Sequence, residues 1–258
     1  MMQTADLGAL LRANSYPGRG ILLGRSADGQ FAVAAYFIMG RSENSRNRVF
    51  ASTPDGIRTQ AQDPAKLSDP TLIIYNPVRR FGRSTIVTNG DQTDTIREGL
   101  AAGRDMAESL RTRTFEPDEP NYTPRISGLL QADGSYTLSI LKSAGGNPDS
   151  CQRFFFEYNT PLDGQGHFLH TYQGDGDPLP SFTGEPVTVS ITAPDAISLA
   201  DAIWESLNPD NRVSLFVRYI NLTDGSDQTR VINQYGKSWS LTSQPSLVLP
   251  DPAEVTKE

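Results

Sequence analysis

Three Asp-Gly pairs, each between apolar runs, constrain the fold of this chain more than any other feature of its sequence. They are Asp28-Gly29, Asp133-Gly134 and Asp224-Gly225. An Asp-Gly pair flanked in this way is typical of the tight turn that joins two antiparallel strands. The sequence therefore predicts three β-hairpins and a mainly antiparallel sheet structure.

Helices are predicted at three places, one before the first hairpin and two between the hairpins. Residues 5–13 favour a short helix, and a helix beginning at 93 or 94 is predicted to run to about Arg111, because its apolar residues recur at spacings of four and three. A third helix follows Thr192, which resembles the first residue of a capping box, and ends before Asn208-Pro209.

About ten predicted strands exceed what one open sheet ordinarily holds. The sequence thus indicates an α+β fold in which two sheets pack together and the helices lie outside them. We expect a single domain over residues 1–243, followed by a flexible tail over residues 244–258, where prolines and charges accumulate.

Composition excludes several classes of function. The 258 residues carry a formal charge of −7, which argues against a nonspecific nucleic-acid surface. No apolar run reaches the roughly 20 residues that a membrane helix needs. A single cysteine, Cys151, allows no internal disulfide, and the first residues lack the features of a signal peptide. These observations predict a cytoplasmic protein without membrane or nucleic-acid partners.

The stretch from Leu72 to Ile96 contains two β-branched runs that we expect to be strands with polar residues at their ends. Tyr75, Asn76 and Arg79 are expected to close the first strand, and Asn89 to Asp94 the second, just before the helix. Strand ends are places where a rigid scaffold presents a site. The alternative is a plain hairpin turn followed by a helix cap, a role that would suit Asp94.

Metal and nucleophile motifs are weak. His167 and His170 form the only histidine pair, and residues three apart in a strand point to opposite faces. Cys151 has no nearby histidine before residue 167, so it is interpreted as an inert thiol. The sequence therefore predicts no metal site, no cofactor and no cysteine nucleophile. Arg41 to Arg48 contains three arginines and fits either a solvated loop or an anion clamp.

Five short segments carry glycines, arginines and polar residues in a recognisable order along the chain. They are Gly18-Arg19-Gly20 through Gly24-Arg25, Arg41-Ser42 with Asn47-Arg48, Tyr75-Asn76 with Arg79, Asn89-Gly90 with Thr93-Asp94-Thr95-Ile96, and Asp118-Glu119 with Asn121 and Thr123-Pro124-Arg125-Ile126. Together, and in this order, they resemble the archaeal-type inosine monophosphate (IMP) cyclohydrolase family and its bacterial relatives. This sequence departs from the family pattern at Asp91-Gln92 and at Tyr122, and beyond residue 140 no matching segment is identified.

The resemblance implies a four-layer αββα fold like that of the N-terminal-nucleophile hydrolases, without their nucleophile chemistry. It also implies closure of 5-formamidoimidazole-4-carboxamide ribonucleotide to IMP with loss of water, by a homo-oligomer. The catalytic residues would be Tyr75, Glu119, Asn76 and Asn89. The residues that bind substrate and phosphate would be Arg41, Arg48, Arg79, Arg125, Asn47 and Asp94.

Two alternatives remain open at the level of the sequence. One is a purine-nucleotide- or phosphate-binding protein that keeps the clamp without turnover, and the other is an amide hydrolase of related fold. For individual residues, Glu119 could be a solvated loop acid and Tyr75 a half-buried residue at a strand end.

Overall fold

The computed structural model describes residues 4–67, 70 and 72–244. Within them the chain forms five α-helices and fourteen β-strands. The helices are α1 (Leu7–Ala13), α2 (Glu43–Arg46), α3 (Gln92–Ala101), α4 (Met106–Leu110) and α5 (Ala196–Ser206). The strands are β1 (Arg19–Arg25), β2 (Phe31–Met39), β3 (Arg48–Thr53), β4 (Gly56–Ala61), β5 (Val78–Phe81), β6 (Ser84–Thr88), β7 (Arg125–Leu130), β8 (Tyr136–Ala144), β9 (Asn147–Tyr158), β10 (Gln165–His170), β11 (Val187–Ser190), β12 (Arg212–Asn221), β13 (Asp227–Asn233) and β14 (Trp239–Ser243).

The strands form two antiparallel sheets of seven strands each, so the predicted α+β class and two-sheet arrangement are confirmed. Sheet A has the order β11-β10-β1-β2-β12-β13-β14, and sheet B runs β3-β4-β5-β6-β7-β8-β9. All three Asp-Gly pairs join neighbouring antiparallel strands, as predicted. The predicted tail lies outside the described residues, apart from Gln244.

Successive side chains of a strand point to opposite faces of its sheet, so the apolar residues fall into three separate clusters. In β1, Ile21 and Leu23 lie in a cluster shared by the two sheets, whereas Leu22 lies in a cluster with α1 and α5 on the opposite face of sheet A. A third cluster joins Ile86 and Leu129 of sheet B to α3 and α4. Each sheet thus buries one face against the other sheet and its second face against helices.

The helix predicted from 93 or 94 to about Arg111 is wrong as a single element. It is two helices, α3 and α4, separated at Gly103, whose φ of 76° lies in the left-handed region. Asp105 then caps α4 by accepting a hydrogen bond from the Glu108 N–H at 2.7 Å, and Glu108 returns the bond to complete a capping box. The apolar residues keep their helical spacing across Gly103, so the sequence pattern gives no sign that the helix ends there.

Three further predictions from local pattern are wrong. Leu72 to Tyr75 is not a strand: β5 begins only at Val78, so Tyr75 and Asn76 precede the strand that they were expected to close. Residues 53–70 are rich in proline, aspartate, glutamine and threonine, a composition that predicts a loop, but they contain β4. The cap of α5 is Asp195, whose carboxylate accepts from the Ser198 N–H, rather than Thr192.

The chain topology brings one end of each sheet together. At this end β1 and β7 begin and β2, β6 and β10 end, and the loops that join them carry most of the polar residues considered below. None of the helices in the described part of the chain is long and apolar enough to cross a membrane.

Candidate functional site

Glu116 is a buried acid at the shared end of the two sheets. Its side chain is 2% exposed, and burial raises its pKa to about 7. The charges of Arg19 and Arg125 lower the pKa, Asp118 raises it and Arg48 lowers it further, so burial outweighs the nearby arginines. No hydrogen bond to this carboxylate is present among the described residues. A carboxyl group with a pKa near neutrality can both accept and release a proton.

Arg19 is the first residue of β1. Of the neighbouring charges, it lowers the pKa of Glu116 the most. Burial acts to lower its pKa, but Glu116 and the phenols of Tyr172, Tyr16 and Tyr75 outweigh it, and the net shift of the pKa is upward. The Nε atom of Arg19 is buried and has no hydrogen-bond partner within the described chain. Arg19 therefore has a buried N–H group that could donate a hydrogen bond to a ligand oxygen.

Arg48 is a second arginine with a free donor. Its side chain is fully buried, and its Nε donates to the Ser45 carbonyl at 2.8 Å while Nη2 donates to the Met39 carbonyl at 3.3 Å. Its Nη1 has no partner in the part of the chain that the structure describes. Burial lowers the pKa of Arg48, and the charge of Arg19 lowers it further. A buried cation without a carboxylate partner is costly, and an anion would relieve that cost.

Tyr75 is buried near the same two arginines, and its phenol acts on the pKa of both Arg19 and Arg48. Its hydroxyl lies 2.8 Å from the hydroxyl of Tyr36, which projects from β2. Thr59 fixes its backbone, since the Tyr75 N–H donates to the Thr59 hydroxyl at 2.8 Å and that hydroxyl donates to the Tyr75 carbonyl at 3.0 Å. Burial raises the pKa of Tyr36, and the neighbouring Tyr75 raises it further. Asn76, beside Tyr75, is half-buried.

A series of hydrogen bonds connects the loop after β10 to the loop before β7. The Thr123 hydroxyl contacts both the Tyr172 hydroxyl and the Asp118 carboxylate, and the Thr123 N–H donates to Asp118 at 2.7 Å. The Glu116 N–H donates to the Thr123 carbonyl at 2.9 Å, so the same loop turns Glu116 inward. Tyr16 stacks on Tyr172 with ring centroids 6.0 Å apart.

Asn89 and Arg125, both predicted site residues, lie in a buried network with Gln92. The Asn89 amide donates to the Pro124 carbonyl at 2.9 Å and its oxygen accepts from the Ile126 N–H at 2.8 Å and from Gln92 at 3.0 Å. Gln92 in turn accepts from Arg125 at 2.8 Å. Because the hydrogen bonds of Asn89 are made within the protein, its position favours fixing the loop before β7 over contacting a ligand.

Three other predicted residues are also bonded within the protein. Arg79 donates to Asp55 and to Asp94, both at 2.8 Å, so its charge is neutralised by two carboxylates. Asp94 is not the cap of α3, which begins after Asp91. Asn47 exchanges two hydrogen bonds with the backbone of Asp63, at 2.8 and 2.7 Å.

Arg41 and Glu119 lie at the surface. Arg41 contacts Asp175 at 2.5 Å and lies over the Tyr16 ring at 5.1 Å from its centroid, which places it beside the stacked tyrosines. Glu119 is exposed. The structure thus brings Arg48, Tyr75 and Arg125 into electrostatic range of Glu116 or Arg19, with Arg41 at the rim and Glu119 in solvent.

Four residues of this cluster were not among the predicted site residues: Arg19, Tyr36, Glu116 and Tyr172. Arg19 stands in a segment that carries the family resemblance, so a signal for it existed. Glu116 is three residues before Glu119 in the same proline-rich loop, and only the neighbouring apolar Phe115 hints at its burial. Tyr36 is hidden in an apolar strand.

No group of histidine, cysteine and acidic residues suited to a metal ion occurs among the described residues. Nδ1 of His167 lies 2.7 Å from the Tyr136 hydroxyl, and Nδ1 of His170 lies 2.7 Å from the Tyr172 carbonyl. Burial lowers the pKa of each histidine to about 4. Each imidazole is therefore neutral at pH 7 and engaged with a different partner.

Comparison with known proteins gives consistent matches. The sequence matches the family described as IMP cyclohydrolase-like protein over residues 16–225, a range that includes every residue of the cluster around Glu116. It is 34% identical over 159 residues to the IMP cyclohydrolase of Methanosphaera stadtmanae, covering 57% of this chain and 77% of the relative. It is 32% identical over 171 residues to that of Methanopyrus kandleri, covering 64% and 79%.

Proposed function

The chain belongs to the IMP cyclohydrolase-like protein family, and from this premise we propose that it closes 5-formamidoimidazole-4-carboxamide ribonucleotide to IMP. The carboxamide nitrogen attacks the formyl carbon of the same molecule and a new C–N bond forms. The formyl oxygen then leaves as water, taking one proton from the carboxamide nitrogen and one from the formamido nitrogen. This reaction would be the last step in building the purine ring.

The reaction needs no covalent enzyme intermediate, because nucleophile and electrophile are joined in one substrate. The protein has to hold the two substituents close, move protons and stabilise charge on the formyl oxygen. The single observation that carries the proposal is the buried Glu116 next to arginines whose buried donors, Arg19 Nε and Arg48 Nη1, are free within the described chain.

Glu116 is proposed to move the protons, in preference to Glu119. A base must be deprotonated when the carboxamide nitrogen attacks, and an acid must be protonated when the oxygen leaves. With a pKa of about 7, Glu116 can serve both steps near neutral pH. Glu119 is exposed and so lacks the buried setting that gives Glu116 this property.

Tyr75 and the arginines are proposed to stabilise and position the substrate. The Tyr75 hydroxyl, oriented by Tyr36, would donate to the formyl oxygen, and Arg19 would support negative charge that develops there. Arg48, with Arg41 at the rim, would bind the 5′-phosphate. Half-buried Asn76, whose side chain makes no hydrogen bond among the described residues, would orient the carboxamide.

The remaining predicted residues are proposed to support the loops of this site without contacting the substrate. Asn89 and Arg125 would fix the loop that carries Glu116, while Arg79, Asp94 and Asn47 would join the strand-end loops to one another. These roles follow from the hydrogen bonds that each side chain makes to the protein.

The finer description of the fold is likewise a proposal. The three apolar clusters support a four-layer αββα sandwich like that of the N-terminal-nucleophile hydrolases. We further propose one domain over residues 1–243 with a tail over residues 244–258, and a homo-oligomer in the cytoplasm.

The test is to add the formamido nucleotide to purified, metal-stripped protein and follow IMP by its ultraviolet spectrum. Glu116→Gln is expected to lower kcat by about 10²- to 10⁴-fold, and the matched Glu119→Gln to leave it near the wild-type value. Tight binding of IMP without ring closure would instead favour a nucleotide-binding protein. Release of an acid and an amine would favour an amide hydrolase. A large loss in Glu119→Gln alone would restore the assignment made from sequence.

A further inference from the structure

The last strand of sheet B, β9, has a free edge. It pairs with β8 on one side and with no other strand among the described residues. Its twelve residues make it the longest strand in either sheet, and three consecutive phenylalanines, Phe154 to Phe156, lie within it. The Phe154 side chain is 41% exposed. An edge that is long and apolar is a template for pairing with another strand.

The other three edge strands do not offer an equivalent surface. β11 has four residues and β14 has five, so each presents a short edge. β3 has six residues and packs across the sheets against β12 and β13. β9 is therefore the edge to which the pairing argument applies.

Two of the three charged residues of β9, Arg153 and Glu157, lie symmetrically about Phe155, in the C-terminal half of the strand. Arg153 lies two residues before Phe155 and Glu157 lies two residues after it, so the two charges project from the same face of the strand. If a second copy of β9 lies antiparallel and is centred on Phe155, each Arg153 lies opposite Glu157 of the partner subunit. Opposite charges at directly opposed positions stabilise an antiparallel pair.

Arg153 is already held in place for such a contact. Its Nη2 atom donates to the Arg113 carbonyl at 2.7 Å and to the Arg111 carbonyl at 3.4 Å, so its guanidinium is fixed over the end of α4. Arg111 is itself exposed and positive, which increases the attraction for an acid arriving on this face. Glu157 is exposed, and no salt bridge to it occurs in the described part of the chain.

We propose that two copies of this chain pair through their β9 edges, which joins their two B sheets into one continuous antiparallel sheet. The contact is isologous, because the same strand serves both subunits, and so it closes as a dimer with two-fold symmetry. Main-chain hydrogen bonds would supply the attraction, and the Arg153–Glu157 pairs would set the register. The proposal concerns assembly and does not depend on the proposed reaction.

Sedimentation velocity over a broad range of concentrations tests this proposal with three variants. Glu157→Arg places two arginines opposite each other at both ends of the interface, so the dissociation constant of the dimer should rise by about ten-fold or more. The double variant Arg153→Glu/Glu157→Arg reverses both charges and should restore dimerisation. Glu205→Arg makes the same charge change on α5, against the other sheet, and should dimerise as the wild type does.

Each of the other outcomes overturns the proposal. Wild-type protein that stays monomeric at every concentration excludes the contact. A Glu157→Arg variant that dimerises like the wild type excludes this register. Species that grow without limit as the concentration rises would show that the edge pairs with a different strand, because a heterologous contact need not close. Circular dichroism of each variant establishes that a loss of dimer is not a loss of fold.

Discussion

Replacing Glu116 by glutamine keeps nearly the same shape and removes the ionisable group, so the variant isolates the effect of its charge. Burial raises the pKa of Glu116 from 4.5 to about 7 in the folded protein. Between these two values the folded state keeps a proton that the unfolded state has released. The stabilisation by that proton is complete below about pH 4.5 and is lost as the pH rises through about 7.

The size of this effect follows from the shift. A difference of about 2.5 pH units, at about 1.4 kcal/mol per unit, corresponds to about 3.5 kcal/mol in the free energy of unfolding. The sequence pI of about 4.9 makes work near pH 5 impractical because net charge and solubility are lowest there. Between about pH 5.5 and 8.5 we expect about 2 kcal/mol of the total to appear.

Urea unfolding of wild type, Glu116→Gln and Glu119→Gln at both pH values measures this quantity. The free energy of unfolding of Glu116→Gln, relative to the wild type, should rise by about 2 kcal/mol from the lower to the higher pH. Glu119→Gln, altered at an exposed side chain, should follow the wild type at both. If the Glu116→Gln difference is the same at both pH values, Glu116 titrates like an exposed acid and loses its basis as the proton carrier.

Two further substitutions test the buried polar groups. Asn89→Ala removes hydrogen bonds that hold the loop before β7 and should lower the free energy of unfolding by about 2–4 kcal/mol in urea titrations, whereas Asn76→Ala should change it little. Equal midpoints for the two variants would contradict a structural role for Asn89. Asp227→Asn leaves Arg80 and the buried Arg218 without their carboxylate and should cost about 3 kcal/mol, measured in the same way. A loss below about 0.5 kcal/mol would show that the pair is not coupled to folding.

Local sequence patterns were sufficient for the hairpins and for the class of the fold. An Asp-Gly turn depends on its own residues and the strands on either side, so its prediction needed no knowledge of the remaining chain. The family resemblance, made from short segments up to residue 130, is confirmed by a match that extends to residue 225. The break at Gly103 was missed because periodicity reports which face is apolar and gives no information on whether the backbone is continuous.

Burial of single polar residues could not be predicted in the same way. Glu116 and Glu119 lie in one loop with similar local composition, yet one is 2% exposed and the other lies in solvent. The difference comes from the Glu116 N–H bond to the Thr123 carbonyl, which closes the loop, and from the contact of the Thr123 hydroxyl with Tyr172, in the loop after β10 of the other sheet. Contacts between sheets are nonlocal, so no window of sequence around Glu116 contains them.

The arginines show the same limit and also how the structure overcomes it. Sequence reasoning could identify arginines at strand ends but could not separate those with acidic partners from those without. Arg79 meets two carboxylates, and Arg125 meets Asp91 and Gln92. Arg19 and Arg48 each keep a buried nitrogen with no partner in the described chain, as do Arg97, Arg218 and Arg230. Of these five, Arg19 and Arg48 are the ones whose charges act on Glu116. Since folding leaves few buried donors unpaired, these two are where an anionic ligand has the most to gain from binding, and this is the reason for centring the site on them rather than on Arg79.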